Sequence, residues 1–109
     1  MTEGRLTTHV LDTARGCAAS FMRVDFQLVG GVRSTVTLDA GGRAVLFEGT
    51  DFVPGDYEIS FHAGDYQQHY GAAAFFTIIP IRFTIEDERQ HYHIPLVLSP
   101  YGYSTYRGG

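Results

Sequence analysis

The stretch that decides the fold is the last one, His91-Tyr92-His93-Ile94-Pro95-Leu96-Val97-Leu98-Ser99-Pro100-Tyr101-Gly102-Tyr103-Ser104-Thr105-Tyr106-Arg107-Gly108-Gly109. His91–Leu98 reads as one of the two longest strands of the chain, and Ser99-Pro100-Tyr101-Gly102 as a turn into a last short strand, Tyr103–Tyr106. His91 and His93 stand two apart, so on a strand they point to one face. Pro95 lies inside the pattern and has no N–H to give a ladder, which predicts an edge or a bulge there.

Working outward, the same period of two recurs between Gly, Pro and Asp punctuation. Leu6–Asp12 is a short strand with Thr7, His9 and Leu11 on one face. Phe21–Val29 sets Met22, Val24, Phe26 and Leu28 against Phe21, Arg23, Asp25 and Gln27, and Gly30-Gly31 suggests a tight hairpin turn into Val32–Leu38. A second turn, Asp39-Ala40-Gly41-Gly42, leads through Arg43 to a strand over Ala44–Glu48, and Pro54-Gly55-Asp56 leads to Tyr57–His62. Asp65–Ala73 lacks alternation and predicts one short helix capped by Asp65. Phe75–Ile85, which contains Pro80, is the other long strand. Eight short strands and one helix predict an all-β fold, an antiparallel β-sandwich. Exposed edges in so small a sandwich favour pairing with another subunit.

The 109 residues suit one domain spanning 1–109, whose core is thin because such a chain buries only roughly 60–70% of its unfolded surface. Eight Phe and seven Tyr are many for this length and favour strands. A net charge of −4, with the eight basic residues all scattered arginines, argues against nucleic acid or an anionic membrane as partner. Cys17 is the one cysteine, so no internal disulfide forms; we read it as a small semi-buried residue. Residues 1–15 do not look like a signal peptide and no apolar run matches the ~18–20 residues of a membrane helix, so a cytoplasmic protein is expected.

Among chemistry-bearing residues, His91 and His93 can seat a metal only if a third ligand arrives from elsewhere, and no Cys or HExxH pattern supplies one. His62 and His69 read as ordinary hydrogen-bonded histidines, and Glu86, Asp87 and Glu88 as a solvated loop. There is no nucleophile elbow and no glycine-rich phosphate loop. What remains is a set of His9, Arg43, His93, Tyr106 and Arg107, each of which, taken alone, reads first as structural.

Two segments go further. Leu6-Thr7-Thr8-His9-Val10-Leu11-Asp12-Thr13 is similar to the "HVLDT" signature shared by 5-hydroxyisourate hydrolases and transthyretins. The final nineteen residues resemble the hydrolase signature "HYHVPLLLSPYGYSTYRGS", with two apolar swaps and Gly109 in place of Ser. Between them the glycine turn with Arg43, Gly55-Asp56-Tyr57 and Phe75-Phe76 keep the family's order, with Gly41 where Asp is usual and Thr77 where Pro is common.

The resemblance implies a transthyretin-like sandwich of two four-stranded sheets, a homotetramer (a dimer of dimers), and active sites in the channel between dimers. It implies hydrolysis of 5-hydroxyisourate, a product of urate oxidation, with neither metal nor cofactor. Carried over by position, the catalytic set is His9, Arg43 and His93, with Tyr106 and Arg107 binding substrate. A neutral imidazole, with an ordinary pKa of about 6.5, suits deprotonation of water near neutral pH. A guanidinium suits a planar ureide and its oxyanion, worth roughly 3–4 kcal/mol per donor. Two alternatives remain beside this one: a non-catalytic or weakened transthyretin-like small-molecule binder, and a metal-binding sandwich built on His91 and His93.

Overall fold

A computed structural model describes residues 4–108; Gly109, and with it the exchange of the family's final Ser, lies outside the described residues. The first sheet is built on β1 (Arg5–Asp12), β2 (Cys17–Ala18), β5 (Arg43–Glu48), β8 (His91–Ser99) and β9 (Gly102–Thr105). The second runs β4 (Ser34–Thr37), β3 (Arg23–Leu28), β6 (Gly55–Phe61), β7 (Ile79–Ile85). A helix, α1 (Ala63–His69), links β6 to β7.

The sandwich is the expected one with two refinements. β2 and β5 share the same edge of β1, pairing with its two ends, so the first sheet remains four strands wide although five strands build it. β1 and β8 run parallel, over eight residue pairs from Arg5↔His91 to Asp12↔Leu98, while every other strand pairing among the described residues is antiparallel. The sequence separation of β1 and β8 permits this: parallel neighbours need a long crossover, and the whole second sheet intervenes.

Alternation makes the core. Leu6, Val10, Tyr92, Ile94, Leu96 and Leu98 of the first sheet meet Val24, Tyr57, Ile59, Phe61, Ile79 and Ile85 of the second, none more than 6% exposed. Each such side chain stabilises the fold by roughly 1.5–3 kcal/mol relative to exposure. Phe47 stands edge-on to Tyr57 at 5.1 Å, and the Tyr57 hydroxyl donates to the Val53 carbonyl at 2.6 Å, which satisfies the phenol.

Several local expectations shift. Pro80 lies on the edge strand β7 as expected. Pro95 instead lies in the interior strand β8, where it is tolerated because its missing N–H faces β9. The β8–β9 ladder runs from Ser99 to Leu96, lapses at Pro95, and resumes only at His93↔Gly108. The Pro95 carbonyl is met by the Thr105 hydroxyl at 2.8 Å. Gly30-Gly31 sits in a longer loop between Leu28 and Ser34, and Val32 is exposed. Cys17 is exposed rather than semi-buried.

The helix starts two residues early and stops four early. Gly64 donates its N–H to the Thr77 carbonyl at 2.9 Å, and a Cβ there would lie 2.9 Å from the Thr77 Cα. That contact docks the first turn before Asp65, which becomes a first-turn acid instead of the cap. Gly71, with φ +70, then ends the helix: its N–H bonds the Gln68 carbonyl and the Ala72 N–H reaches back to Gln67. The segment from Phe75 to Ile78 leads into β7 as a connection, not as strand.

Candidate active site

β1 is the axis of the site. Its inner residues enter the core, and Arg5, Thr7 and His9 point to the opposite, outer face. On one side the antiparallel register sets His9 opposite Arg43 of β5. On the other the parallel register sets Thr7 opposite His93 and Arg5 opposite His91 of β8. Three separate stretches of chain thereby converge on an open groove of about 410 Å³, whose lining includes Arg5, Thr7, Arg43, Val45, His91 and His93.

Each group is held by its local chain. Asp39 Oδ1 accepts the backbone N–H groups of Gly41 and Arg43, both at 2.9 Å, closing the turn that delivers Arg43. Gly42 in that turn has φ +71, and a Cβ would come 2.8 Å from the Val10 carbonyl oxygen, so the position requires glycine. The Gly42 carbonyl accepts the Val10 N–H at 2.9 Å, locking the turn beside His9. His93 Nδ1 is 2.8 Å from Thr7 Oγ1, and His91 Nε2 is 2.8 Å from the same oxygen. The Gly108 N–H donates to the His93 carbonyl at 2.7 Å, and its bare Cα lies against the ring: a Cβ would be 2.9 Å from His93 Cδ2.

The electrostatics favour neutral imidazoles. Partial burial lowers the pKa of His9, the Arg43 charge lowers it further, and the backbone of Gly41 with the charge of Asp39 pulls only partly the other way. Burial likewise lowers His93, reinforced by His91, His9 and Arg43. An unprotonated imidazole, His93, and a permanently charged guanidinium, Arg43, line one groove, with His9 opposite Arg43, and such a set can take a proton from water and stabilise an oxyanion.

Arg43 and His93 thus line one groove, His9 stands opposite Arg43 without lining it, and Tyr106 and Arg107 do not join them. The Arg107 guanidinium lies over the Tyr92 ring, 4.1 Å from its centroid, and donates to Gln90 Oε1 at 2.8 Å. Tyr106 is largely exposed beside Ile81, Phe83 and Ile94, at a separate shallow pocket. Among the described residues no third metal-ligating side chain joins His91 and His93. Sequence reasoning passed over Thr7, Asp39 and Gly108. The alternation that places Thr7 on the face of His9 was the available signal for it, whereas Gly108 gives none, since its neighbour is a ring fifteen residues away.

Comparison with known proteins gives the family and the fold. The family model described as "HIUase/Transthyretin family" matches residues 6–108. The chain belongs to the HIUase/Transthyretin family. Within that family it is 50% identical to the 5-hydroxyisourate hydrolase 2 of Rhizobium meliloti, over 96% of each chain. The 5-hydroxyisourate hydrolase structure from Klebsiella pneumoniae superposes with a TM-score of 0.86 at 30% identity, over 97% of this chain and 99% of that one. An (S)-allantoin synthase structure gives a TM-score of 0.91 at 35% identity, and this chain spans 44% of its length.

Proposed function

We propose that this chain, as one domain, is a metal-independent cyclic amide hydrolase that opens 5-hydroxyisourate to 2-oxo-4-hydroxy-4-carboxy-5-ureidoimidazoline in urate breakdown. The observation that carries the reading is the register of three strands, which brings Arg43 and His93 into the lining of one groove and sets His9 opposite Arg43. The names of the relatives over nearly the full chain support the substrate. A neutral imidazole of this set takes a proton from water, which attacks a ring carbonyl. Arg43 draws the ureide oxygens and the developing oxyanion, and the ring C–N bond breaks as its nitrogen is reprotonated.

The assembly belongs to the same proposal. Leu11 and Val45 are nearly half exposed on the outer face, and Phe75, Phe76, Tyr101 and Tyr103 form a chain of ring contacts at the surface. Of these Val45 lines the groove, and exposed apolar surface of this extent is typical of an interface. It supports a homotetramer closing over the groove, in which Tyr106 and Arg107 bind substrate at a neighbouring copy. The free, exposed Cys17 is compatible with a reducing compartment and supports the cytoplasm. No helix among the described residues is long and apolar enough to cross a membrane.

The test is the ultraviolet decay of freshly generated 5-hydroxyisourate. The chain should accelerate it, and His9→Ala, His93→Ala and Arg43→Ala should each lose most of that acceleration while remaining folded. A wild-type chain without acceleration would leave the small-molecule binder in its place.

A further inference from the structure

The Thr7 hydroxyl is shared by two imidazoles, 2.8 Å from His91 Nε2 and 2.8 Å from His93 Nδ1. A hydroxyl has one proton and two lone pairs, so with both rings neutral Thr7 can accept from both, or relay between them in one of two orders. In one, His93 Nδ1–H donates to Thr7 and Thr7 donates to His91 Nε2, leaving His93 Nε2 unprotonated. In the other, every donor is reversed and His93 Nε2 carries the hydrogen.

The surroundings choose between them. His93 Nε2 has no protein partner among the described residues, and its ring shares the groove with the Arg43 guanidinium and with His91, near His9. A lone pair is favoured over an N–H dipole near a fixed cation. His91 is exposed, so its Nδ1–H is satisfied by water when Nε2 accepts from Thr7. Gly108, packed on Cβ, Cγ and Cδ2 of His93, keeps the ring from turning away from Thr7.

We infer that Thr7 is a positioning residue that couples His91 to His93 and holds His93 in the tautomer with unprotonated Nε2, making that nitrogen the one that deprotonates water. The inference rests on the hydrolase reading and names the base within it. The proton balance closes along the same chain. Water gives a proton to His93 Nε2, His93 Nδ1–H passes one to Thr7, and Thr7 passes its own to His91 Nε2. The products are a neutral His93, a protonated His91 beside solvent, and hydroxide for the attack.

Imidazole nitrogen NMR of the free protein, at a pH where both rings are neutral, tests the tautomer without any turnover. His93 Nε2 should resonate as unprotonated and Nδ1 as N–H bearing. Thr7→Val removes the hydroxyl and His91→Ala removes its acceptor; each should move His93 towards the Nε2–H form, and Thr7→Ser should restore the wild-type signature. In the decay assay Thr7→Val should lower kcat by about 10- to 100-fold with KM within about twofold, and Thr7→Ser should recover most of it. His91→Ala alters an exposed side chain, so the question stays answerable if Thr7→Val does not fold. A wild-type His93 carrying its hydrogen on Nε2, or a tautomer unmoved in both variants, overturns the inference. If the wild-type chain does not hydrolyse 5-hydroxyisourate, the function falls, while the NMR still decides the coupling.

Discussion

At the scale of single residues, a missing methyl group decides where His93 sits. Gly108 lies so close to the imidazole that a Cβ would come within 2.9 Å of Cδ2. Gly108→Ala should therefore displace the ring and cut kcat at least about tenfold, with a smaller effect on thermal unfolding than on turnover. Charge at the site makes a second prediction. Burial and neighbouring charges hold His9 and His93 below the ordinary histidine value of 6.5. The acid limb of kcat/KM should then fall below pH 6.5, and Arg43→Gln should move it upward by removing a cation from both rings. The stability sign is the same. The unfolded chain takes up these protons first, so their contribution is present above 6.5 and is lost as pH falls from there through the lowered folded values. His9, Arg43 and His93 were legible as candidates from motif and chemistry; Thr7 and Gly108 act through contacts that only the pairing of β1, β8 and the tail creates.

At the scale of elements, the turn before β5 and the pair beside β3 carry the sharpest expectations. Gly42→Ala puts a side chain at φ +71 and against the Val10 carbonyl, so it should cost about 1–3 kcal/mol and impair activity by shifting Arg43. Denaturant unfolding read beside the decay assay checks both halves. In the second sheet the buried Asp25 accepts from His62 Nε2 at 2.8 Å and from the Thr35 hydroxyl at 2.7 Å. Burial alone would raise its pKa, but those bonds, with the charges of His62 and Arg23, hold it below the ordinary 3.8. Asp25→Asn should destabilise by about 1–3 kcal/mol near neutral pH and leave kcat unchanged, the loss shrinking as pH falls through 3.8. Most strands were legible within a few residues because alternation is a local property. The helix was misplaced because Gly64 docks on Thr77, although Gly71 already marked its end.

For the whole molecule, core and site are separable. Phe61 is fully buried between the sheets, away from the groove, and Phe61→Ala should cost about 3–5 kcal/mol of unfolding free energy. At a temperature where that variant stays folded, its kcat should remain near wild type. Sedimentation velocity should find a tetramer, and Leu11→Glu, at a position 43% exposed on the outer face, should dissociate it and lower activity through the assembly. A monomeric wild type with full turnover would remove the assembly from the proposal.

The sequence by itself determined the sandwich, its family and the three groups most suited to the chemistry, because strand period, turn glycines and terminal motifs are written along the chain. The tertiary structure alone decided the parallel pairing of β1 with β8, the tolerance of Pro95 inside the sheet, and the hydroxyl shared by His91 and His93. The first and last depend on which face of one segment meets which residue of another more than eighty positions away, and Pro95 depends on how β9 and the tail fold back on β8. Register is a property of the assembled sheet, so neither Thr7 nor Gly108 shows its role until the strands are in place.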